Sequence, residues 1–113
     1  MKLISHRGNL TGPNPERENN PDYIWEAIQA GYDVEIDVWW VDGKFKLGHD
    51  EPKYHFPFSL IERHYSKLWI HCKNMDALSQ LNELDSSGLK VNYFSHENDL
   101  GVLTSRGYIW STN

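Results

Sequence analysis

Asp33-Val34-Glu35-Ile36-Asp37-Val38 alternates acid with aliphatic residue over six positions. Side chains along a strand alternate faces, so Val34, Ile36 and Val38 share one side of this segment. Glu35 and Asp37 project from the other, with their carboxylates about 7 Å apart. Two hard oxygen ligands at that reach suit a divalent cation such as Mg²⁺ or Ca²⁺. The same pair also reads as a half-exposed strand with solvated acids, and the segment alone does not choose between the two.

The flanks add chemistry to the pair. Upstream, Leu3-Ile4 runs into Ser5-His6-Arg7-Gly8; downstream, Phe45-Lys46-Leu47 runs into Gly48-His49-Asp50. Two short apolar segments thus each end in a histidine beside a glycine, with the acidic strand between them. Arginine offers a planar fork for phosphate oxygens. Imidazole takes or gives a proton near neutral pH. Together these residues form a phosphate-and-metal constellation.

The ordered set His6-Arg7-Gly8, Glu18-Asn19-Asn20, Gly31-Tyr32-Asp33, Glu35-Ile36-Asp37-Val38, Asp42-Gly43 and Gly48-His49-Asp50 resembles the glycerophosphodiester phosphodiesterases. These belong to the phospholipase C-like phosphodiesterase superfamily and have a (β/α) barrel. Order and spacing agree without a gap from Glu18 to Asp50, and the likeness covers roughly residues 1–50, with an echo at Lys73. Pro15 is displaced from the family's proline next to the motif glutamate, and Asn20 replaces its threonine. Where the family carries glutamate-x-lysine, this chain has His71-Cys72-Lys73.

The resemblance implies a metal-dependent phosphodiesterase acting on small glycerophosphodiesters or related phospholipid headgroup esters. Glu35 and Asp37 are its implied metal ligands, and His6 and His49 its acid–base pair. Arg7 grips a phosphate oxygen or braces the site, Glu18 orients Arg7 or the metal shell, and Lys73 neutralises phosphate charge. His71 stands where a third carboxylate is expected. Imidazole is a poor ligand for Mg²⁺ or Ca²⁺ and a good one for Mn²⁺ or Zn²⁺, so the exchange shifts the metal preference or weakens the site. A non-catalytic module that binds a phosphorylated ligand is the alternative reading.

A complete barrel takes about 200–250 residues. The 113 residues here read as a single domain, 1–113, holding a partial (β/α) TIM-type barrel of about five mostly parallel strands. That shortfall predicts a chain continuing past Asn113, or a reduced fold whose unpaired sheet edges drive homo-oligomerisation. Apolar residues make up 39%, much of their volume supplied by five Trp, six Tyr and four Phe. A net charge of −5 argues against broad nucleic-acid or anionic-membrane binding. No apolar run approaches the length of a membrane span. Lys2 is followed by only two apolar residues before Ser5, which does not make a signal peptide. The lone Cys72 excludes an intrachain disulfide and fits a reducing, cytoplasmic setting; it reads as buried and inert.

Along the chain, residues 2–5 read as a first strand and 8–20 as a loop. Asn20-Pro21-Asp22 starts a helix with cap, proline and acid in order, and Gly31 closes it. Residues 39–47 form a hairpin around Asp42-Gly43. Residues 50–58 are loop, 60–65 a short helix, 68–73 a third strand, and 75–85 a helix capped by Asn74 or Asp76. Residues 89–94 and 108–110 complete the strands. His96-Glu97-Asn98-Asp99 reads as a solvated turn.

Overall fold

In the computed structural model, residues 3–95 and 101–111 are described. The first helix, α1 (Pro21–Gln29), begins where its signals lie: Asn20 Oδ1 accepts the Asp22 N–H at 2.9 Å, and Pro21 occupies the first turn. Tyr23, Ile24 and Ala27 form its buried face, and Gly31 follows its end at φ +94°. The chain then enters β2 (Asp33–Val41), a nine-residue strand that organises the rest. β1 (Ile4–His6) pairs parallel with its first three residues. β3 (Lys44–Leu47) pairs antiparallel with its last four. β5 (Leu68–Cys72) pairs parallel along its middle.

Because Val34 and Glu35 pair with both β1 and β5, and Val38 with both β3 and β5, β1 and β3 lie on one edge of β2 and β5 on the other. β4 (Tyr54–His55) extends the sheet beyond β3, and β6 (Asn92–Phe94) extends it beyond β5. The hairpin turn is Asp42-Gly43, with φ +53° and +74°, the left-handed pair that a two-residue hairpin needs.

Val34, Ile36, Val38, Leu68 and Ile70 face three helices: α1, α2 (Phe58–His64) and α3 (Met75–Ser86). Ile36, Ile61, Ile70 and Leu81 are fully buried there, each worth about 1.5–3 kcal/mol of transfer free energy. Asn74 caps α3 through Oδ1 to the Ala77 N–H at 2.9 Å. It also accepts from the Trp40 N–H at 3.2 Å and donates to the Trp40 carbonyl at 3.1 Å, binding the helix start to β2.

The partial barrel of mostly parallel strands is not what forms. Among the described residues, a six-stranded mixed sheet does not close, and three pairings are parallel and three antiparallel, counting the separate hairpin of β7 (Gly101–Leu103) and β8 (Ile109–Ser111). Two local causes account for the difference. The Asp42-Gly43 turn folds β3 back onto β2. At the other end, β8 pairs with β7 instead of extending the sheet beyond β6. Ser105 accepts the Tyr93 N–H at 2.8 Å and donates its own N–H to the Tyr93 carbonyl at 2.9 Å, occupying the outer edge of β6. β4 lies within residues 50–58, where the sequence predicts loop, and β7 is a strand that the sequence does not predict. The His96-Glu97-Asn98-Asp99 turn lies outside the described residues. Among those described, no helix is long and apolar enough to cross a membrane.

The three bonds of Asn74 set it apart from Asn20, which makes one cap contact. Asn20→Ala is expected to cost about 1 kcal/mol, and Asn74→Ala about 2–3 kcal/mol because it also strips the Trp40 backbone groups. Urea unfolding midpoints check this; equal losses would show that Asn74 acts as a cap alone.

Candidate metal centre

The sheet face opposite the helices carries His6, Glu35, Asp37, Trp69, His71, Asn92 and Phe94, since residues paired across strands share a face. Asp37 and His71 are direct partners across β2 and β5, and His6 and Glu35 across β1 and β2. Both acids are buried, each 1% exposed, so they are not the solvated pair of the alternative reading. Ligand atoms of Glu35, Asp37 and His71 all lie within 4.8 Å of one another. His71 Nδ1 sits 3.1 Å from Asp37 Oδ1 and 3.9 Å from Glu35 Oε2.

The two carboxylates live differently. Asp37 is surrounded by donors: Asn19 Nδ2 reaches Oδ2 at 2.9 Å, and His71 reaches Oδ1. Arg7 Nε stands 3.2 Å from Oδ2, close enough for charge attraction but not aligned as a hydrogen bond. Burial works to raise the Asp37 pKa, but the hydrogen bonds from His71 and Asn19 and the Arg7 charge outweigh it, bringing it to about 2. Glu35 lacks that support. Burial, and then the Asp37 charge, push its pKa well above the usual carboxylate range. Glu35 Oε1 is buried with no hydrogen-bond partner; His6 Nε2 is 3.4 Å away without hydrogen-bond alignment.

A buried carboxylate with one oxygen lacking a donor, beside a second carboxylate and an imidazole, is what a cation would satisfy. The donor set therefore fits a divalent metal ion held by Glu35, Asp37 and His71.

His49 and Arg7 enter from the neighbouring strand ends. The Arg7 N–H donates to the Glu35 carbonyl at 2.8 Å, and the Gly48 N–H to the Asp37 carbonyl at 3.1 Å. A side chain at Gly48 would run into the Glu51 carbonyl oxygen, so the loop can turn this tightly only with glycine. Trp39 Nε1 anchors the turn by donating to the Gly48 carbonyl at 2.7 Å. His49 Nδ1 then lies 3.6 Å from Asp37 Oδ2, and its Nε2 lies 3.6 Å from Asp50 Oδ1.

Arg7 Nη1 donates to Glu18 Oε1 at 3.0 Å, and Nη2 lies 3.4 Å from His49 Nε2. All three guanidinium nitrogens thus face protein groups, those of Glu18, Asp37 and His49. Burial opposes ionisation of Glu18, but bonds from Arg7, Asn9 and the Asn14 N–H hold its pKa below the ordinary value.

His6 and His49 remain partly open to solvent, with side chains 55% and 43% exposed. Burial and the Arg7 charge lower the His6 pKa. Lys73 donates its N–H to the Val38 carbonyl at 2.8 Å, and its charge reaches Glu35. With His71, Asn74 and Ser95 it lines a pocket of about 250 Å³; Arg7, Glu18, His49, Lys53 and Tyr54 line another of about 270 Å³. Cys72 points to the core side, where burial raises its thiol pKa to about 12.

Asn19 carries no role in the sequence pattern beyond its place after the motif glutamate. Fully buried at φ +66°, it holds both the backbone and the carboxylate of Asp37. An asparagine following the motif glutamate, in a loop that must turn, was the available signal. Comparison of the chain with protein-family models, curated proteins and solved structures finds no match.

The opposite shifts of the two acids give opposite pH dependences in cation-free protein. Asp37, with its pKa lowered from 3.8 to about 2, contributes stability above about pH 4 that is lost as the pH falls through its folded value. Glu35, raised from 4.5, contributes stability below that value, lost as the pH rises through its folded one. In chelator, stability is therefore expected to fall on the alkaline side, and Glu35→Gln to remove that fall. Asp37→Asn is expected to cost about 2–3 kcal/mol at neutral pH. Urea unfolding from pH 4 to pH 8 checks both; an unchanged alkaline fall in Glu35→Gln would exonerate that carboxyl.

Proposed function

We propose that the protein is a metal-dependent phosphodiesterase that cleaves small glycerophosphodiesters or related phospholipid headgroup esters. The observation that carries this reading is the convergence of ligand atoms of Glu35, Asp37 and His71, with one oxygen of the buried Glu35 lacking a donor and with His6 and His49 at the edges. The motif likeness to glycerophosphodiester phosphodiesterases, extending from His6 to Asp50, supports it.

A divalent cation held by Glu35, Asp37 and His71 would supply positive charge to the phosphoryl oxygens as negative charge grows there. The imidazole nitrogen of His71 favours Mn²⁺ or Zn²⁺ over Mg²⁺ or Ca²⁺. One of His6 and His49 takes the proton from a neighbouring hydroxyl of the substrate as its oxygen attacks phosphorus. The other gives a proton to the departing alcohol oxygen. A cyclic phosphate results, and water opens it with the two imidazoles exchanging roles. Lys73 offsets charge on the phosphate, while Arg7, braced by Glu18, fixes His49 against Asp37. Binding of a phosphorylated ligand without turnover is the reading to set against this, and the same assay separates the two.

Release of choline from glycerophosphocholine, whose glycerol carries the neighbouring hydroxyl, is expected to require Mn²⁺ or Zn²⁺ and to stop in chelator. His6→Ala and His49→Ala are each expected to cut turnover by about 10²–10⁴-fold with the fold retained by circular dichroism. Cation-dependent binding of the ester without release would leave a binding module. Near-wild-type turnover in either variant would remove that histidine from the mechanism.

A further inference from the structure

Asn19 touches Asp37 at two points. Its Oδ1 accepts the Asp37 backbone N–H at 2.8 Å, and its Nδ2 donates to Asp37 Oδ2 at 2.9 Å. The orientation of the amide is forced, because only its oxygen can accept that N–H, which turns the NH₂ group to the carboxylate. The asparagine is itself pinned by its own N–H, which donates to the Arg7 carbonyl at 3.0 Å.

Among the described residues, the Asn19 bond is the one aligned hydrogen bond on Oδ2. Arg7 Nε at 3.2 Å and His49 Nδ1 at 3.6 Å are charge contacts without that alignment. Oδ1 is the oxygen that faces His71 Nδ1, at 3.1 Å, on the side where the third ligand of the candidate centre lies.

We propose that Asn19 is a positioning residue that holds Oδ2 out of the metal centre, makes Asp37 a one-oxygen ligand and so sets which cation the centre takes. This rests on the metal-centre reading and not on phosphodiester cleavage. A carboxylate limited to one oxygen, a second carboxylate and an imidazole make a small donor set. Ca²⁺ seeks six to eight oxygens, often with bidentate carboxylates, whereas Mn²⁺ and Zn²⁺ accept fewer donors with nitrogen among them. Freed of Asn19, the Asp37 carboxylate can rotate to offer both oxygens, which favours Ca²⁺ relative to Mn²⁺.

The test compares Mn²⁺ and Ca²⁺ affinities by calorimetry in wild-type protein and Asn19→Gly. Glycine keeps the positive φ open while removing both amide contacts. The wild type is expected to prefer Mn²⁺, and the preference to shrink about tenfold or more in the variant, with the circular dichroism spectrum retained. A merely structural asparagine would weaken both cations by the same factor, and that result overturns the proposal. A wild-type chain that binds neither cation overturns it together with the metal-centre reading. Should Asn19→Gly not fold, infrared spectra of Mn²⁺-loaded wild type with ¹³C-carboxyl aspartate decide. The wide carboxylate splitting of one-oxygen coordination supports the proposal, and the narrow splitting of two-oxygen coordination overturns it.

Discussion

One edge of β2 is shared end to end by two strands, and the site depends on that arrangement. β1 covers Asp33 to Glu35 and stops; β3, running the other way, covers Val41 to Val38 and stops. Their ends meet beside Ile36 and Asp37, so the segment after each strand must leave the sheet at that point. Those segments are His6-Arg7-Gly8 and Gly48-His49-Asp50. The register of hydrogen bonds thus brings His6, Arg7 and His49, the last 42 residues beyond Arg7 in sequence, to the same pair of carboxylates. The turn after β1 is taken with Arg7 at φ +58°, a conformation that non-glycine residues adopt rarely and that clusters where function holds it.

The face on which these residues meet would be an unfavourable place for two acids without their surroundings. Burying a carboxylate costs several kcal/mol, repaid only by good geometry and full hydrogen bonding. Asp37 has that repayment from Asn19, His71 and Arg7, and Glu35 does not. A fold selected for stability alone would place an aliphatic residue at 35, packed beside Trp69 on the same face. Local cost at one carboxylate, with careful support for its neighbour, is the pattern of a site built to receive a positive charge.

Much of this was legible in the chain. Period-two alternation placed Glu35 and Asp37 on one face, and Asn20-Pro21, Asn74 and Asp42-Gly43 marked two helix starts and a hairpin where the structure has them. Strand direction was legible where helices join the strands, since β1, β2, β5 and β6 pair parallel as the strand–helix order implies, but not at the end of the chain. Alternation says which face a side chain takes and nothing about which partner a strand finds, so Tyr108 to Trp110 read as one more parallel strand although β8 pairs antiparallel with β7. Burial was equally hidden, because an acid on a strand looks the same in sequence whether water or an aromatic ring lies above it. The Asn19 clamp escaped for a related reason: its partner is eighteen residues away, and loop asparagines commonly serve only to turn the chain.

The β7–β8 hairpin contributes no ligand to the centre and yet bears on it through stacked rings. Trp110 lies on Phe94 at 5.2 Å between centroids, and Phe94 lies nearly parallel to the His71 ring at 5.3 Å and 8°. Trp110 also comes within 6.5 Å of His6, and Trp69 packs between Tyr108 and Trp110. An imidazole can present Nδ1 to Asp37 only if its ring plane is fixed, and hydrogen bonding alone leaves that plane free to tilt. The Phe94 ring removes the tilt, and Trp110 holds Phe94 in turn. A stack of rings set against a candidate ligand imidazole therefore serves the centre as much as the stability of the sheet.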